Sequence, residues 1–315
     1  MTICDKCGTR IQENASLCAK CGNGGAYYKP SGKCPNIFFG NFLLSLVIAI
    51  PILAVIYAYL IRYIPIIYLN IIITGLCGGA IGGIVWFAAK FGKARNPAIV
   101  FICTLIATCA FQYVQYCAWI PLWFDLSLEE RFSYSFSLLF SPSELIETMK
   151  KINEMGLWSM GRSGSVVNGI MLLFVWIVEF IIIAGVAIFA SRQASKLPFS
   201  EKANSWYAKI KREVKIDVPE NLDALKVNLE KADFAELVSL SKEEVVSKEC
   251  LLCLSFFEPP PQLPEEPYYL RIMRMSLSNK TDIKNIFLPT VVEPLAIDKQ
   301  SVMEILGISP KKEIP

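Results

Sequence analysis

The chain contains no histidine. That removes imidazole as a general base, as the partner of a serine or cysteine nucleophile, and as a ligand of open catalytic zinc. Two phosphate-handling patterns are also missing. There is no G-x-x-x-x-G-K-[ST] loop and no G-x-G-x-x-G turn after a strand. No polybasic tract is present, and the net charge of +3 is accounted for by Lys and Arg beside apolar runs. Nucleic acid is therefore not an expected partner. No cleavable signal sequence is read before the apolar runs, because the chain opens on a cysteine-rich segment.

What the chain has in abundance is apolar sequence. Of its 315 residues 54% are hydrophobic, with a mean hydropathy of +0.44. The distribution is uneven: 37–190 is mostly apolar, whereas 197–315 has an ordinary soluble composition. Four runs reach the ~20 residues that a spanning helix needs: 37–61, 65–89, 98–124 and 166–190. The expected architecture is membrane α-helical, with an N-terminal zinc ribbon (1–24), a linker (25–36), a four-transmembrane-helix bundle and a small α+β cytoplasmic domain (197–315).

Basic residues near the run ends predict orientation. Lys29, Lys33, Lys90, Lys93, Arg95, Arg192 and Lys196 all fall on one side of a four-span path. The first opposite connection carries only Arg62. The second, 125–165, carries Arg131, Lys150, Lys151 and Arg162 against six acidic residues. Both termini are thus expected in the cytoplasm of a cell whose inner (plasma) membrane holds the protein.

The cysteines at the N-terminus form two knuckles, Cys4-Asp5-Lys6-Cys7-Gly8 and Cys18-Ala19-Lys20-Cys21-Gly22. Four thiolates at ~2.3 Å close a tetrahedron around zinc and leave no open position, so the expected metal is one structural Zn2+ per chain on Cys4, Cys7, Cys18 and Cys21. A segment this short cannot bury a core, which makes metal binding its folding energy. A redox pair, disulfides and a rubredoxin-type iron site are the alternatives. Disulfides require an oxidising compartment, which the predicted orientation does not supply. The segment ICDKCGTRIQENASLCAKCG resembles the short zinc ribbon at the N-termini of many bacterial membrane and signalling proteins. The resemblance covers residues 1–24 and implies a zinc-stabilised ribbon, with no activity attached. The stretch from Ser141 to Ala190 resembles uncharacterised four-span bacterial membrane proteins that carry such ribbons.

Inside the apolar block, Gly75, Gly78, Gly79, Gly82 and Gly83 pair at four-residue spacing, which lets helix backbones approach closely, either within the bundle or across a dimer. Glu179 lies near the middle of the last run, where an ionisable group is a functional hypothesis by default. Gln112, Gln115, Asn70 and Thr74 are its candidate polar partners. Three readings stand: a protonated, hydrogen-bonded structural group, a cation or proton site in a transport path, or a contact to another subunit. Pro51 is a candidate kink.

Between the third and fourth runs, Ser141-Pro142-Ser143-Glu144 predicts a capping box and an amphipathic helix stopping near Gly156, with Leu145, Ile146, Met149, Ile152 and Met155 on its apolar side. It is expected to lie on the outer membrane face or to cap the bundle, with Trp158 as an interfacial anchor. In the C-terminal domain, helices are expected at 198–215, 220–232, 234–241 and 299–307, and strands at 249–257, 267–278 and 285–297. Cys250 and Cys253 are three apart in a strand and so point to opposite faces. They read as packing residues, as do Cys34, Cys77, Cys103, Cys109 and Cys117. With no catalytic constellation visible, the first functional expectation is a non-enzymatic sensor, adaptor or scaffold with a cytoplasmic protein partner. The alternatives are a small oligomeric transporter or channel using Glu179, and a membrane-bound enzyme of unrecognised type.

Overall fold

The computed structural model describes residues 2–3, 10–11, 27–64, 66–156, 159–160, 165–245, 250–276 and 290–308. Short strands β1 (Thr2–Ile3) and β2 (Arg10–Ile11) pair at the N-terminus. The chain divides into two compact units, one made of Met1–Ser31 with Leu197–Pro315, the other of Gly32–Lys196.

The 32–196 unit is helical. Its elements are α1 (Asn36–Leu44), α2 (Ile50–Tyr63), α3 (Ile67–Phe91), α4 (Pro97–Trp119), α5 (Leu128–Phe140), α6 (Pro142–Met155), a two-residue ladder of β3 (Ser159–Met160) with β4 (Ser165–Val166), and α7 (Gly169–Ser191). Four helical stretches are long and apolar enough to cross a membrane: Asn36–Tyr63, Tyr68–Phe91, Pro97–Trp123 and Gly169–Lys196. Large apolar side chains on their outer faces are exposed, among them Ile170 at 86% and Leu76 at 69%. Such exposure fits helices solvated by lipid and not helices buried in a soluble core. Asn96 starts α4 by accepting from the backbone N–H of Ala98 and Ile99, with Pro97 at the first helical position where a missing N–H costs nothing.

Pro51 does not break its span. A π-helical turn, Ser45–Ala49, joins α1 to α2, and the Ile50 N–H reaches back to the Ser45 carbonyl. The wider turn accommodates a proline that cannot donate and whose ring crowds the preceding turn.

The glycine-rich span has two different faces. A Cβ on Gly78 would lie 2.7 Å from the Ile183 carbonyl oxygen, and one on Gly82 would lie 2.5 Å from that of Ala187. Both carbonyls belong to α7, so these two glycines let the α3 and α7 backbones touch. A Cβ on Gly75 or Gly83 would meet nothing within 4 Å.

The connection after α4 corrects two expectations. A whole helix, α5, was not anticipated there. It owns the genuine capping box: Ser127 Oγ accepts from the Glu130 N–H, and Glu130 accepts from the Ser127 N–H. Ser141 makes no side-chain cap, although Pro142 does start α6. Gly156 ends α6 at φ 79°, a conformation that favours glycine. Of the apolar side expected on α6, Leu145 and Ile152 are buried, but Ile146 and Met155 are 55% and 69% exposed. The Tyr113 hydroxyl of α4 donates to the Leu138 and Leu139 carbonyls at 3.1 and 3.0 Å, satisfying the last turn of α5. Trp158 lies outside the described residues.

The other unit contains a ladder of β5 (Phe199–Ser200) with β6 (Ser205–Trp206), then β7 (Ala208–Lys209), β8 (Val214–Asp217), α8 (Leu222–Glu230), α9 (Ala235–Lys242), β9 (Cys250–Glu258), β10 (Tyr268–Ser276), β11 (Thr290–Ile297) and α10 (Lys299–Leu306). The helix expected at 198–215 is absent; four short strands stand in its place. Val214-Lys215-Ile216-Asp217 alternates with period two, and Ile216 is buried while Lys215 is exposed. The main sheet is antiparallel, ordered β11-β10-β9, with β7 and β8 both on the far edge of β9. On one face, Leu252, Leu254, Leu270 and Ile272 pack with Leu225 and Leu229 of α8, Leu237 of α9, and Val302 and Ile305 of α10. On the other, Phe257, Tyr269 and Ala296 pack with Tyr207 and Tyr28. Coverage of both faces explains the near-continuous apolar run of β9. This is a small α+β arrangement.

Tyr27 and Tyr28, in the stretch read as a linker, belong to this sheet. Tyr27 bridges Leu295, the Tyr28 N–H donates to the Pro294 carbonyl at 2.7 Å, and the Tyr28 ring meets Tyr269 edge-on.

Arg271 is an anomaly in this unit. It is 8% exposed, its Nε and Nη2 make no hydrogen bond, and neither does Oγ of its cross-strand neighbour Ser255. Burial lowers the guanidinium pKa, with Glu293 nearby opposing that shift. Each unsatisfied buried donor costs about 1–3 kcal/mol, and the contact with the Phe257 ring at 5.4 Å returns about 0.5–2 kcal/mol. Arg271→Met is therefore expected to leave thermal stability of the full chain unchanged or raised. A loss above about 2 kcal/mol in unfolding would show that the guanidinium has a partner holding it.

Candidate functional site

The four proposed zinc ligands, Cys4, Cys7, Cys18 and Cys21, lie outside the described residues. The structure does show the pair that brackets the first knuckle. Thr2 pairs with Ile11 and Ile3 with Arg10. Among the described residues no cluster of three or more His, Cys, Asp or Glu side chains is placed to hold a metal. Cys253 is buried and its thiol, pushed up to about 11 chiefly by burial, donates to Glu213 at 3.4 Å. Cys250 instead accepts from Arg274 Nε at 3.0 Å. The two sulfurs are thus engaged separately, as opposite faces of a strand require.

Inside the helical unit a polar cluster draws on three of the four spans. The Tyr57 hydroxyl of α2 lies 2.7 Å from a carboxyl oxygen of Glu179 on α7. The same hydroxyl lies 2.9 Å from Thr74 Oγ1 of α3. Thr74 in turn donates to the Asn70 backbone carbonyl at 2.7 Å. Tyr57 is 1% exposed, and its ring packs edge-on against Phe111 of α4, centroids 5.4 Å apart. Cys77 and Tyr116 are the other titratable groups near the acid.

Proton counting constrains this chain of contacts. A carbonyl only accepts, so the Thr74 proton is committed to Asn70. If Tyr57 donates to an ionised Glu179, no hydrogen remains for the Tyr57–Thr74 contact. If Glu179 carries a proton, it donates to Tyr57, Tyr57 to Thr74 and Thr74 to Asn70, and every contact is satisfied. Of the candidate partners, Thr74 therefore reaches Glu179 through Tyr57, and Asn70 contributes its backbone. The Asn70 Oδ1 and Gln115 Oε1 atoms are buried without a hydrogen bond. The Gln112 amide lies near Tyr116, yet neither of its polar atoms completes a hydrogen bond.

Sequence reasoning missed Tyr57, the hub. Its helix also contains Tyr59 and Tyr63, so the hydroxyl alone singles out nothing. The usable signal is the inward stripe of Ile50, Ala54, Tyr57 and Ala58, at helical spacing and flanked by small residues.

No family model matches the chain, and neither a curated protein nor a solved structure matches it significantly. The ribbon reading accordingly stands on cysteine spacing, and the reading of Glu179 on the bundle's own geometry.

The proton count predicts a contrast between two substitutions. In Glu179→Gln an amide N–H replaces the acid O–H, so the thermal unfolding temperature of the purified protein is expected to stay close to wild type. Glu179→Leu removes the donor and is expected to cost about 1–2 kcal/mol, the scale of hydrogen bonds between spans. Equal losses in the two variants would show that the acid works as an anion.

Proposed function

We propose that this is a non-enzymatic integral membrane protein that presents a zinc ribbon and an α+β domain together, as an adaptor, sensor or scaffold for a cytoplasmic protein partner. The observation that carries the reading is the joining of the segments on either side of the four spans. Tyr27 and Tyr28 pair with β11, and Ser31 Oγ donates to Glu201 at 2.5 Å. Residues just before the first span and just after the last thus belong to one compact unit. An even number of crossings is needed for that, and the distribution of Lys and Arg argues for the cytoplasmic face of an inner (plasma) membrane. The ribbon, with zinc on Cys4, Cys7, Cys18 and Cys21, would then sit in a reducing compartment.

The transport alternative is less well supported by the cluster around Glu179. A cation site needs several converging oxygens, whereas among the described residues the acid has one hydroxyl partner, and Thr74 donates to its own helix. The two readings separate experimentally. The full chain is crosslinked in its native membrane, purified under denaturing conditions and compared with a Cys4→Ser, Cys18→Ser double variant. A specific cytoplasmic protein captured by wild type and lost from the double variant supports the adaptor reading. No difference between the two, together with ion or proton flux in liposomes that Glu179→Gln abolishes, overturns it.

A further inference from the structure

Helix α5 borders a feature that the adaptor reading does not use. Tyr113, which holds the end of α5, lies six residues before the last residue of α4, about 9 Å along the helix axis at 1.5 Å per residue. Helix α5 therefore starts near the end of the third span and runs back alongside it. Its first turn carries Glu129, Glu130 and Arg131, while 132–143 has no charged residue. The helix leaves a cavity of about 210 Å³ against α2 and α4, lined by Pro51, Val55, Val114, Phe132 and Phe136 among others. Arg131 is the one charged side chain among the described lining residues, and its Nε is buried without a hydrogen bond.

We propose that this groove binds one phospholipid with a net negative headgroup, an acyl chain lying along the apolar lining and the phosphate on Arg131. Several observations converge on that occupant. The groove is continuous with the lipid-facing surface: Val55, Phe132 and Phe136 are 41%, 74% and 54% exposed. A peptide there would bring backbone polar groups into an apolar slot with few partners for them, whereas an acyl chain brings none. The Arg131 end lies at headgroup level by its neighbours. Leu122, which lines the same cavity, accepts from Arg62 Nε at 3.3 Å, and the Arg62 guanidinium lies 4.2 Å from the Trp123 ring centre. Trp and Arg at span ends mark that interface. Glu130, the acid next in sequence, is held by the Ser127 N–H, leaving the guanidinium to a ligand phosphate, which it matches in geometry and charge.

Native mass spectrometry of the full chain, released from nanodiscs containing phosphatidylglycerol and phosphatidylcholine in equal amounts, tests this. Wild type is expected to retain one phosphatidylglycerol, and Arg131→Gln to retain about tenfold less, the size of a lost charge-assisted contact. Glu129→Gln, in the same turn, serves as the matched control and is expected to retain wild-type levels. Ser135 also lines the cavity, so Ser135→Trp fills the groove from α5 with Arg131 intact and is expected to lose the lipid too; it decides the matter if Arg131→Gln does not fold. Equal retention of both lipids by wild type overturns the proposal. So does wild-type phosphatidylglycerol retention in folded Arg131→Gln or in Ser135→Trp, or a peptide as the retained species.

Discussion

Gly82→Ala lowers the thermal unfolding temperature of the purified protein, and Gly83→Ala, one residue away on the same helix, does not. The added methyl at 82 would sit 2.5 Å from the Ala187 carbonyl oxygen and 2.6 Å from Ala190 Cβ. Real Cβ atoms do not approach so closely, so α3 and α7 must separate. Overpacking of this kind costs about 1–3 kcal/mol, and a branched residue costs more because the seam opens further. Gly78 faces the same penalty against Ile183. At Gly83 the methyl enters open space, and the gain in helix propensity of roughly 0.5–1 kcal/mol makes the change neutral or stabilising. Unfolding of both variants in one detergent measures the contrast. Equal destabilisation would mean that Gly83 is packed against something else, which a second copy of the chain would supply.

On the proposed zinc assignment, elemental analysis is expected to find about one ion per wild-type chain and none in the double variant Cys4→Ser, Cys18→Ser. Each knuckle loses one of its two thiolates, and a hydroxyl is a poor zinc ligand. The effect is large because metal binding in so short a segment supplies its folding free energy, about 10–16 kcal/mol in zinc-finger peptides. Full metal content in the double variant would remove the zinc assignment. Retention of the four spans and the C-terminal domain is expected throughout, since the described cores of both are built from other residues.

The two classes of element differed in how legible they were. Long spans announce themselves by composition, because lipid selects for uninterrupted apolar sequence whatever the tertiary packing. Their ends shifted by a few residues, where Asn96-Pro97 and the residues after Trp119 set boundaries that hydropathy does not register. Residues 198–215 were misread because Trp206, Tyr207 and Ile210 can be fitted to a helical stripe. Trp206 instead pairs with Phe199 in a short local ladder, while 208–209 and 214–217 pair with β9, some 40–50 residues later, whose edge selects the strand. At the hairpin, two S-x-x-E patterns stood 14 residues apart, at Ser127 and Ser141. Only the first closes, because Ser141 is the link between two helices and adopts ψ 70°. Glu179 was conspicuous as the lone acid of its span. Tyr57 was invisible beside Tyr59 and Tyr63 until packing chose which hydroxyl faces inward.

The pairing of Tyr27 with Leu295 sets the order of events during synthesis. Residues 27 and 28 leave the ribosome long before β11 exists, and every span must be made before their sheet partner appears. At about 5–20 residues per second, that interval lasts tens of seconds, with Tyr27 and Tyr28 still lacking their partners on β11. The closing contact is non-local, of the kind that folds slowly. The bundle can therefore be inserted before the α+β domain is complete, and β11 then supplies the partner of residues 27 and 28. A chain truncated before Thr290 would leave its N-terminal segment without its docking strand although every one of the first 196 residues had been made.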